Sequence, residues 1–355
     1  MDENANTKFK VLMVGPDRSV KGGISSLVNM YYKLGIDEIC DLKYISTMRD
    51  GSKTRKVITA LLAYVNFFFS VRNYDIVHVH MSADTSYFRK KLIIKAAVRL
   101  TKKVVIHEHC GFFDEFFYKR CTGRQRERVR SIFSSVDKVI VLSDAWKKFY
   151  AENICSESMI AVANNNVICS DYVEKEYTDS NILFLGHITK DKGIIDLITA
   201  MAAIVKKIPD ARLFIGGVGE IEQCRYLLKE LDIEDSTEFL GWIGEEEKES
   251  YFNKCSIFAL PSYYEGMPMS LLEAMAHGMV PVAANVGAIP EILESFDIKL
   301  MHSPGDTSEL SEIVISLIND TPMKARIGKK SADIIRHHYS AENTLENLVS
   351  IYEKL

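Results

Sequence analysis

The chain has 355 residues, which is more than one hydrophobic core usually organises, so its length predicts two domains. The composition, 47% hydrophobic and 26% charged, is that of a globular protein. Seven scattered cysteines without C-x-x-C spacing exclude a disulfide framework and a structural zinc site, and they predict a reducing, cytoplasmic environment. The polar start MDENANTKFK lacks the features of a secretion signal.

Short apolar runs alternate with helical stretches along the whole chain. The predicted strands span 10–15, 74–80, 102–109, 137–143 and 158–165 in the first half, and 181–187, 211–217, 236–242, 255–262, 279–285 and 298–301 in the second. Continuous apolar strands separated by helices predict parallel sheets that are covered on both faces. The fold class is therefore α/β, with two doubly wound, Rossmann-like domains.

The polar stretch 169–180 has no clear periodicity and is the predicted linker. It separates an N-terminal domain, 1–168, from a C-terminal domain, 181–338. A last helix within 339–355 begins with the pattern Ser340-x-x-Asn343, and we expect it to pack back toward the N-terminal domain.

The apolar run 57–71 is interrupted by Asn66 and is shorter than the ~20 residues that a membrane span needs. A helix buried on the sheet is the favoured interpretation, and shallow membrane contact is the alternative. Residues 1–172 carry 27 Lys and Arg against 18 Asp and Glu, whereas the rest carries 17 against 30. Basic clusters at 88–103 and 119–130 either are solvated faces of helices or meet anionic lipid head groups.

The segment YYEGMPMSLLEAMAHG places two carboxylates around a predicted helix that begins near Pro268 and ends at Gly278. The first backbone N–H groups of this helix form an anion site. A carboxylate is only an acceptor, so Glu265 and Glu273 suit sugar hydroxyls on either side of a diphosphate. The alternative is that Glu265 caps the helix and Glu273 is a buried, paired acid. Binding of both acids to basic partners inside the protein would count against the sugar interpretation.

The segment EGMPMSLLE resembles the E-x7-E signature of retaining glycosyltransferases with the GT-B fold, and its surroundings are similar to glycosyltransferase family 4. The resemblance implies two Rossmann-like domains that face a central cleft, with a nucleotide-sugar donor held mainly by the C-terminal domain. It also implies that Glu265 meets the donor sugar, that Glu273 meets the ribose and that amides near Met269 and Ser270 bind the diphosphate. Gly266, Met267 and Pro268 complete this donor-binding loop.

Further donor residues follow from the same resemblance. The segment FLGHITKDKG is similar to the family's G-R-x-x-x-x-K-G, which places Lys192 on the donor phosphates. His187 stands where the family has Arg, so this contact is either weaker or pH-dependent, and Lys190 is a partial substitute. Gly217 permits close backbone approach to the donor. Trp242 and Ile243 occupy the loop that the family places against the nucleobase.

The N-terminal half carries the remaining candidates. Gly22 and Gly23 match a family Gly-Gly loop at a helix start that faces the cleft, although a plain turn is also credible. His109 matches the family's active-site histidine, while His80 and Phe112 are acceptor-side candidates. Four histidines end two neighbouring strands, but no carboxylate-rich ligand set accompanies them, so no metal and no cofactor are expected. His78 and His107 are expected to serve the core.

These observations predict a retaining, metal-independent glycosyltransferase. The expected catalytic residues are His109, Lys192 and Glu265. The expected reaction moves a hexose-type sugar, with a UDP-sugar favoured, to a glycan or lipid-linked acceptor in the synthesis of a cell-surface polysaccharide. The expected location is cytoplasmic, with the inner face of the plasma membrane as an anionic partner surface and no nucleic acid as a partner. The alternatives are a nucleotide-sugar epimerase on the same fold and a non-catalytic sugar-nucleotide-binding subunit.

Overall fold

A computed structural model describes residues 9–169 and 175–355. The chain divides into two compact units, of which the first contains the described residues up to Asn165 together with Ala341–Leu355, and the second contains Asn166–Ser340. Each unit is built on one parallel, six-stranded sheet. The α/β class and the two Rossmann-like units expected from the sequence are thus confirmed.

The first sheet has the strand order β2-β1-β3-β4-β5-β6. Its strands are β1 (Phe9–Gly15), β2 (Cys40–Ser46), β3 (Ile76–Met81), β4 (Lys103–Glu108), β5 (Lys138–Val141) and β6 (Ile160–Val162). The helices of this unit are α1 (Gly23–Lys33), α2 (Ile36–Ile39), α3 (Lys53–Ser70), α4 (Thr85–Arg99), α5 (Phe113–Glu115), α6 (Gly123–Phe133), α7 (Asp144–Asn153) and, from the C-terminal segment, α15 (Thr344–Glu353).

Alternate residues of the first sheet enter two separate cores. Leu12 and Val14 of β1 pack into a core with residues of α3, α4, α6 and α7, whereas Val11 and Met13 pack on the other face with residues of α1 and α15. This alternation is the period of a strand covered on both faces. Helix α15 belongs to the first unit because Leu348 and Tyr352 fill that second core. Its N-cap is Asn343 rather than Ser340, and the cap makes no side-chain hydrogen bond.

The second sheet has the strand order β12-β11-β10-β7-β8-β9. Its strands are β7 (Asn181–Leu185), β8 (Arg212–Gly216), β9 (Thr237–Gly241), β10 (Ile257–Leu260), β11 (Val280–Ala284) and β12 (Met301–His302). The helices are α8 (Ile194–Lys207), α9 (Ile221–Glu230), α10 (Glu245–Lys254), α11 (Met269–Ala276), α12 (Ile289–Leu293), α13 (Thr307–Ile318) and α14 (Thr321–His338). Counted within this unit the order is 3-2-1-4-5-6, the dinucleotide-fold order, and the strand order reverses between the parallel neighbours β7 and β10.

Strand β2 was not predicted from the sequence, because four of its seven residues are only partly buried and its polar Asp41 and Lys43 interrupt the apolar run. The basic cluster 88–103 was expected on a solvated face or against lipid head groups, but its Lys90 is buried, and Lys90 Nζ donates to Ser86 Oγ at 3.0 Å. Leu92 of the same segment is 55% exposed.

The linker predicted at 169–180 lies partly outside the described residues. The described part from Lys175 onward packs into the second unit. Lys175 Nζ donates to the carbonyls of Phe252 and Cys255, and the Tyr177 hydroxyl donates to the Gly278 carbonyl at 2.6 Å. The polar composition of this stretch therefore serves specific backbone contacts rather than a free connection.

Helix α3 also departs from the expectation of a buried helix. Of its 18 residues, only Ala63, Phe67 and Ser70 are buried. None of the helices in the described part of the chain combines the length and the hydrophobicity that crossing a membrane requires.

Candidate functional site

Ligands of doubly wound folds bind beyond the carboxyl ends of the strands, at the point where the strand order reverses. In the second unit that point lies between β7 and β10. His187 and Lys192 follow β7, and Glu265 follows β10, so the fold brings the predicted phosphate and sugar residues to one place. Gly217, after β8, and Trp242 and Ile243, after β9, follow the neighbouring strands along the same edge.

The loops after β7 and β10 are bound tightly to each other. Tyr263 N–H donates to the Asp191 carbonyl at 2.9 Å. Gly193 has a φ of 67°, and a Cβ there would lie 2.0 Å from the Pro261 carbonyl oxygen. Only glycine satisfies both the left-handed backbone and the close approach. These contacts fix the positions of the two loops that carry Lys192 and Glu265.

Lys192 and Glu265 form an ion pair at the switch point. Lys192 Nζ lies 2.7 Å from Glu265 Oε1, and the Ser262 hydroxyl donates to the same oxygen at 2.7 Å. The Glu265 side chain is 8% exposed and that of Lys192 is 28% exposed. The lysine head therefore keeps contact with solvent while the carboxylate behind it is almost fully enclosed.

Helix α11 begins directly after this pair. Pro268 is its N-cap residue rather than its first helical residue, and the proline side chain forms no cap hydrogen bond. The contacts described for Glu265 are those to Lys192 and Ser262. Gly266, Met267 and Pro268 are buried, whereas Met269 and Ser270 are partly exposed. The first-turn N–H groups of α11 are therefore the part of this loop that suits an anion.

Glu273 lies one turn further along α11 and also has a basic partner. Its Oε2 lies 2.8 Å from Lys248 Nζ of α10, and the two side chains are 24% and 25% exposed. The alternative of a paired acid thus describes this contact. A carboxylate has about four lone-pair positions, so a single lysine leaves acceptor capacity for a hydroxyl.

Both glutamates therefore have lysine partners, which is the outcome that counts against the interpretation of two free carboxylates for sugar hydroxyls. The two pairs differ in one respect. Lys192, the partner of Glu265, was itself predicted to contact the phosphates of the sugar donor, whereas Lys248, the partner of Glu273, was not predicted. The sequence offered little signal for Lys248, which follows three glutamates in EEEK and resembled an ordinary solvated charge.

The structure requires glycine at position 217 for a reason other than the expected close approach of the backbone to the donor. Its φ is 152°, and a Cβ there would lie 1.8 Å from the Gly186 carbonyl oxygen. The glycine is required by loop-to-loop packing inside the protein, whatever a ligand does. Trp242 is 46% exposed, Ile243 is buried and His187 is exposed.

The first unit gathers its candidates along the carboxyl edge of β1, β3 and β4. Gly22 and Gly23 follow β1, and a Cβ on either would meet nothing within 4 Å. No steric contact in the described structure therefore requires glycine at these two positions. The loop before them is organised by Asp17, which the sequence analysis missed. Its carboxylate accepts hydrogen bonds from Ser19 and Arg49, and these bonds outweigh the opposing effect of burial and lower its pKa.

The four histidines form one cluster on a single face of the first sheet. His80 pairs with His107 across β3 and β4, and His80 Nδ1 lies 3.0 Å from His109 Nε2. His78 Nδ1 lies 2.7 Å from the Tyr352 hydroxyl of α15. His109 is partly exposed while the other three are buried, so it is the member of the cluster that reaches the surface.

Burial dominates the electrostatics of this cluster. It lowers the pKa of His78 and His109 to about 3 and lowers the pKa of His80 and His107 well below the ordinary value. The imidazoles are therefore neutral at neutral pH. Ring nitrogens of His78, His80 and His107 lie within 4.8 Å of one another, which is the one group among the described residues with spacing that could hold a metal ion. These rings lie in a core face with Val105 and Tyr352, and among the described residues no carboxylate is shown to act on their pKa values, so none is shown that could offset a dication.

Phe112 lies beyond β4 with the Arg120 guanidinium 5.0 Å from its ring centroid. Its side chain packs partly against the core, so it is held rather than free to move. The candidates of the first unit thus lie on one strand edge, and those of the second unit lie on another.

The chain is similar in sequence and in fold to known glycosyltransferases. Residues 172–333 match the family model described as "Glycosyl transferases group 1". A glycosyltransferase of Haemophilus influenzae is 29% identical over 256 residues, which cover 71% of this chain and 70% of the relative. The capsular polysaccharide biosynthesis glycosyltransferase CapM of Staphylococcus aureus is 25% identical over 239 residues, which cover 62% of each chain.

Among solved structures, Anabaena HepE in complex with UDP and glucose superimposes with a TM-score of 0.77 at 15% identity, covering 98% of this chain and 100% of that one. This similarity concerns the fold. Residues 172–333 are therefore similar to the group 1 glycosyltransferases, the chain has the GT-B fold, and the named relatives support a transferase enzyme.

Proposed function

We propose that this enzyme is a retaining, metal-independent glycosyltransferase of family 4 that transfers a hexose-type sugar from a UDP-sugar to a glycan or lipid-linked acceptor. The observation that carries the proposal is the Lys192–Glu265 pair, which lies at the switch point of the second unit beside the uncapped start of α11. Relatives that act in polysaccharide biosynthesis and a fold relative that binds UDP support the choice of pathway and donor.

In the proposed mechanism the second unit binds the donor. Lys192 and the first amides of α11 stabilise the negative charge that develops on the departing diphosphate, because fixed charges and dipoles require no reorganisation during the reaction. Glu265 holds Lys192 in place and accepts a hydroxyl of the donor sugar. Glu273 accepts a ribose hydroxyl, and Trp242 and Ile243 contact the base.

The first unit is proposed to bind the acceptor, with neutral His109 near the transferred sugar and Gly22 and Gly23 giving close backbone access. His80, 3.0 Å from His109, holds that imidazole in one orientation. The acceptor hydroxyl attacks from the face that the diphosphate leaves, and the leaving phosphate takes its proton. The enzyme is proposed to work in the cytoplasm, on the anionic inner face of the plasma membrane.

The test uses the whole chain and separates binding from chemistry. UDP, GDP and ADP are added at equal concentration in a thermal-shift assay, and UDP at 100 times its Kd is expected to stabilise the protein by about 2.7 kcal/mol. UDP-α-glucose and UDP-α-galactose are then incubated with a membrane-lipid extract as acceptor, with and without EDTA, and the anomeric configuration of the product is read by NMR. An α-linked product that is unaffected by EDTA is expected.

Other outcomes overturn parts of the proposal. A β-linked product rejects retention, and loss of product in EDTA rejects metal independence. An epimerised sugar nucleotide without acceptor identifies the epimerase alternative. No stabilisation by any nucleoside diphosphate rejects the donor site itself.

A further inference from the structure

Helix α3 exposes an apolar face that nothing in the proposed reaction uses. Seven of its large apolar side chains are each more than half exposed, namely Val57, Ile58, Leu61, Leu62, Val65, Phe68 and Phe69. Phe69 is 81% exposed, the largest value among the large hydrophobic residues described. An apolar surface of this size in contact with water is unfavourable unless something covers it.

The exposed side chains form two adjacent rows on one side of the helix. One row runs through Val57, Leu61, Val65 and Phe68, and the other through Ile58, Leu62 and Phe69, with the spacing of three, four or seven residues that brings helical side chains to one face. The opposite side, with Ala63 and Phe67, packs into the core of the first unit. Helix α3 is about 27 Å long, so the outward face is a continuous strip rather than scattered residues.

The surroundings of this strip are basic. Helix α3 contains Lys53, Arg55 and Lys56 and no acidic residue. The neighbouring helix α4, held to α3 by the hydrogen bond from the Tyr64 hydroxyl to the Arg89 carbonyl, contains five basic residues and no acidic residue. Of these, Lys95 and Arg99 are exposed, and Lys91 lies 4.5 Å from the centroid of the exposed Phe88 ring.

We propose that the apolar face of α3 inserts into the head-group region of an anionic lipid bilayer, with the exposed basic residues of α3 and α4 against the lipid phosphates. The inference rests on the proposed function in that a lipid-linked acceptor lies at such a surface. A helix with an apolar face, aromatic side chains and flanking lysines and arginines has the composition of helices that lie in the membrane interface.

The charge decides between a bilayer and other occupants. A second copy of the chain would bring α3 and α4 of both copies together and set basic residues against basic residues at the rim. An anionic bilayer offers apolar chains to the strip and negative charge to its border at the same time. It therefore satisfies both features, whereas self-association satisfies only the first.

The experiment measures flotation of the whole chain with vesicles of phosphatidylcholine alone and with vesicles that contain 30% phosphatidylglycerol. The wild type is expected to float with the anionic vesicles and to remain largely at the bottom with the neutral ones. Each basic residue near the surface contributes roughly a fivefold change in binding, so Arg55→Glu/Lys56→Glu is expected to weaken binding by more than about tenfold. Lys206→Glu/Lys207→Glu, at an exposed pair on α8, is the matched control and is expected to float like the wild type.

A separate variant tests whether the apolar face of α3 inserts into the bilayer. Phe69→Glu is expected to abolish flotation, whereas Tyr226→Glu, which changes an aromatic residue 66% exposed on α9, is expected to leave it unchanged. Thermal melting of each variant checks folding. In Phe69→Trp the added indole is expected to shift its emission to the blue with anionic vesicles, which surface adsorption without insertion would not cause.

The outcomes distinguish this inference from the proposed function. Equal recovery of the protein in the floated fraction with and without vesicles overturns the proposal that α3 binds a membrane. Stabilisation by UDP tests the donor site separately. Flotation without any UDP effect leaves the membrane surface standing and removes the donor assignment. If the wild type is a dimer that Phe69→Glu converts to a monomer and neither floats, the face is a contact between copies and the proposal is wrong.

Discussion

The ammonium group of Lys192 lies 2.7 Å from Oε1 of Glu265, so the cation predicted for the donor diphosphate and the carboxylate predicted for the donor sugar form one ion pair. A carboxylate held in this way orients the lysine without cancelling its use, because the Lys192 side chain remains 28% exposed. The pair therefore presents a positioned cation beside the amino end of α11.

Replacing Lys192 by Met should lower kcat by about 10²-fold to 10³-fold, because a fixed charge that stabilises the leaving diphosphate is lost. The exposed neighbour Lys190 is the matched control, and Lys190→Met should change kcat by less than about fivefold. Steady-state rates with the identified donor measure both. If Lys190→Met lowers kcat more than Lys192→Met does, the phosphate contact is made by Lys190 and the assignment to Lys192 is wrong.

Replacing Glu273 by Gln should weaken UDP binding by about 10-fold to 100-fold, because a charged hydrogen bond to the ribose contributes about 1.5–3 kcal/mol. Calorimetry with UDP measures this, and Glu249→Gln at an exposed position of α10 is the control. An affinity unchanged in Glu273→Gln, together with a lower melting temperature, would mean that Glu273 serves only its pair with Lys248.

Replacing His187 by Arg should raise donor affinity by several-fold to about tenfold, since the guanidinium binds phosphate oxygens in a bidentate manner and stays charged at all relevant pH values. His187 is exposed, so the change should leave stability unaltered. Lys190→Arg is the control for a general increase in basic character. Equal gains in donor affinity in His187→Arg and Lys190→Arg would show that position 187 makes no specific contact with the phosphates.

The glycines of the two units should respond in opposite ways. Gly217→Ala should destabilise the protein by more than about 3 kcal/mol, because its φ is unsuited to a side chain and its Cβ would meet the Gly186 carbonyl. Gly23→Ala should leave stability unchanged or raise it by up to about 1 kcal/mol, because nothing lies within 4 Å. Urea unfolding measures both. Full activity in Gly23→Ala would remove this position from the substrate-binding loop.

Stability should fall as the pH drops below 6.5. The folded-state pKa of the fully buried His78 is about 3, below the ordinary 6.5, so the unfolded chain binds more protons between these limits. Stability from the neutral cluster is thus complete above pH 6.5 and is lost on acidification, by about 1 kcal/mol for each buried histidine between pH 6.5 and 5.5.

Urea midpoints measured from pH 7.5 to 5 test this dependence. His107→Gln should reduce the slope by about one proton, whereas His337→Gln at an exposed position should leave it unchanged. A midpoint that stays constant from pH 7 to 5.5 would mean that the cluster is not buried in its neutral form.

Much of the fold follows from local sequence. All but one of the twelve strands overlap a predicted apolar run, because a strand covered on both faces is apolar at most positions. Helix α11 is framed by Pro268 and Gly278, since proline suits a helix start and glycine adopts the left-handed conformation that ends it, with φ 72° here. The E-x7-E spacing and its surroundings carried the resemblance to glycosyltransferases.

Other features required the tertiary structure. Which lysine meets which glutamate depends on loops that are far apart in sequence, as for Lys192 with Glu265 and Lys248 with Glu273. The site residues of the second unit meet because parallel strands end at one edge, which no local pattern encodes.

By itself the sequence determined the parallel α/β architecture, the ends of helix α11 and the residue types on which the proposed donor site depends, since these follow from local conformation and short spacings. Only the tertiary structure decided that the apolar run of α3 faces outward, that Lys90 is buried and that both glutamates are paired. Helix α3 is apolar on nearly every side, so its periodicity could not select the inward face, and the packing of Ala63 and Phe67 against the core made that choice.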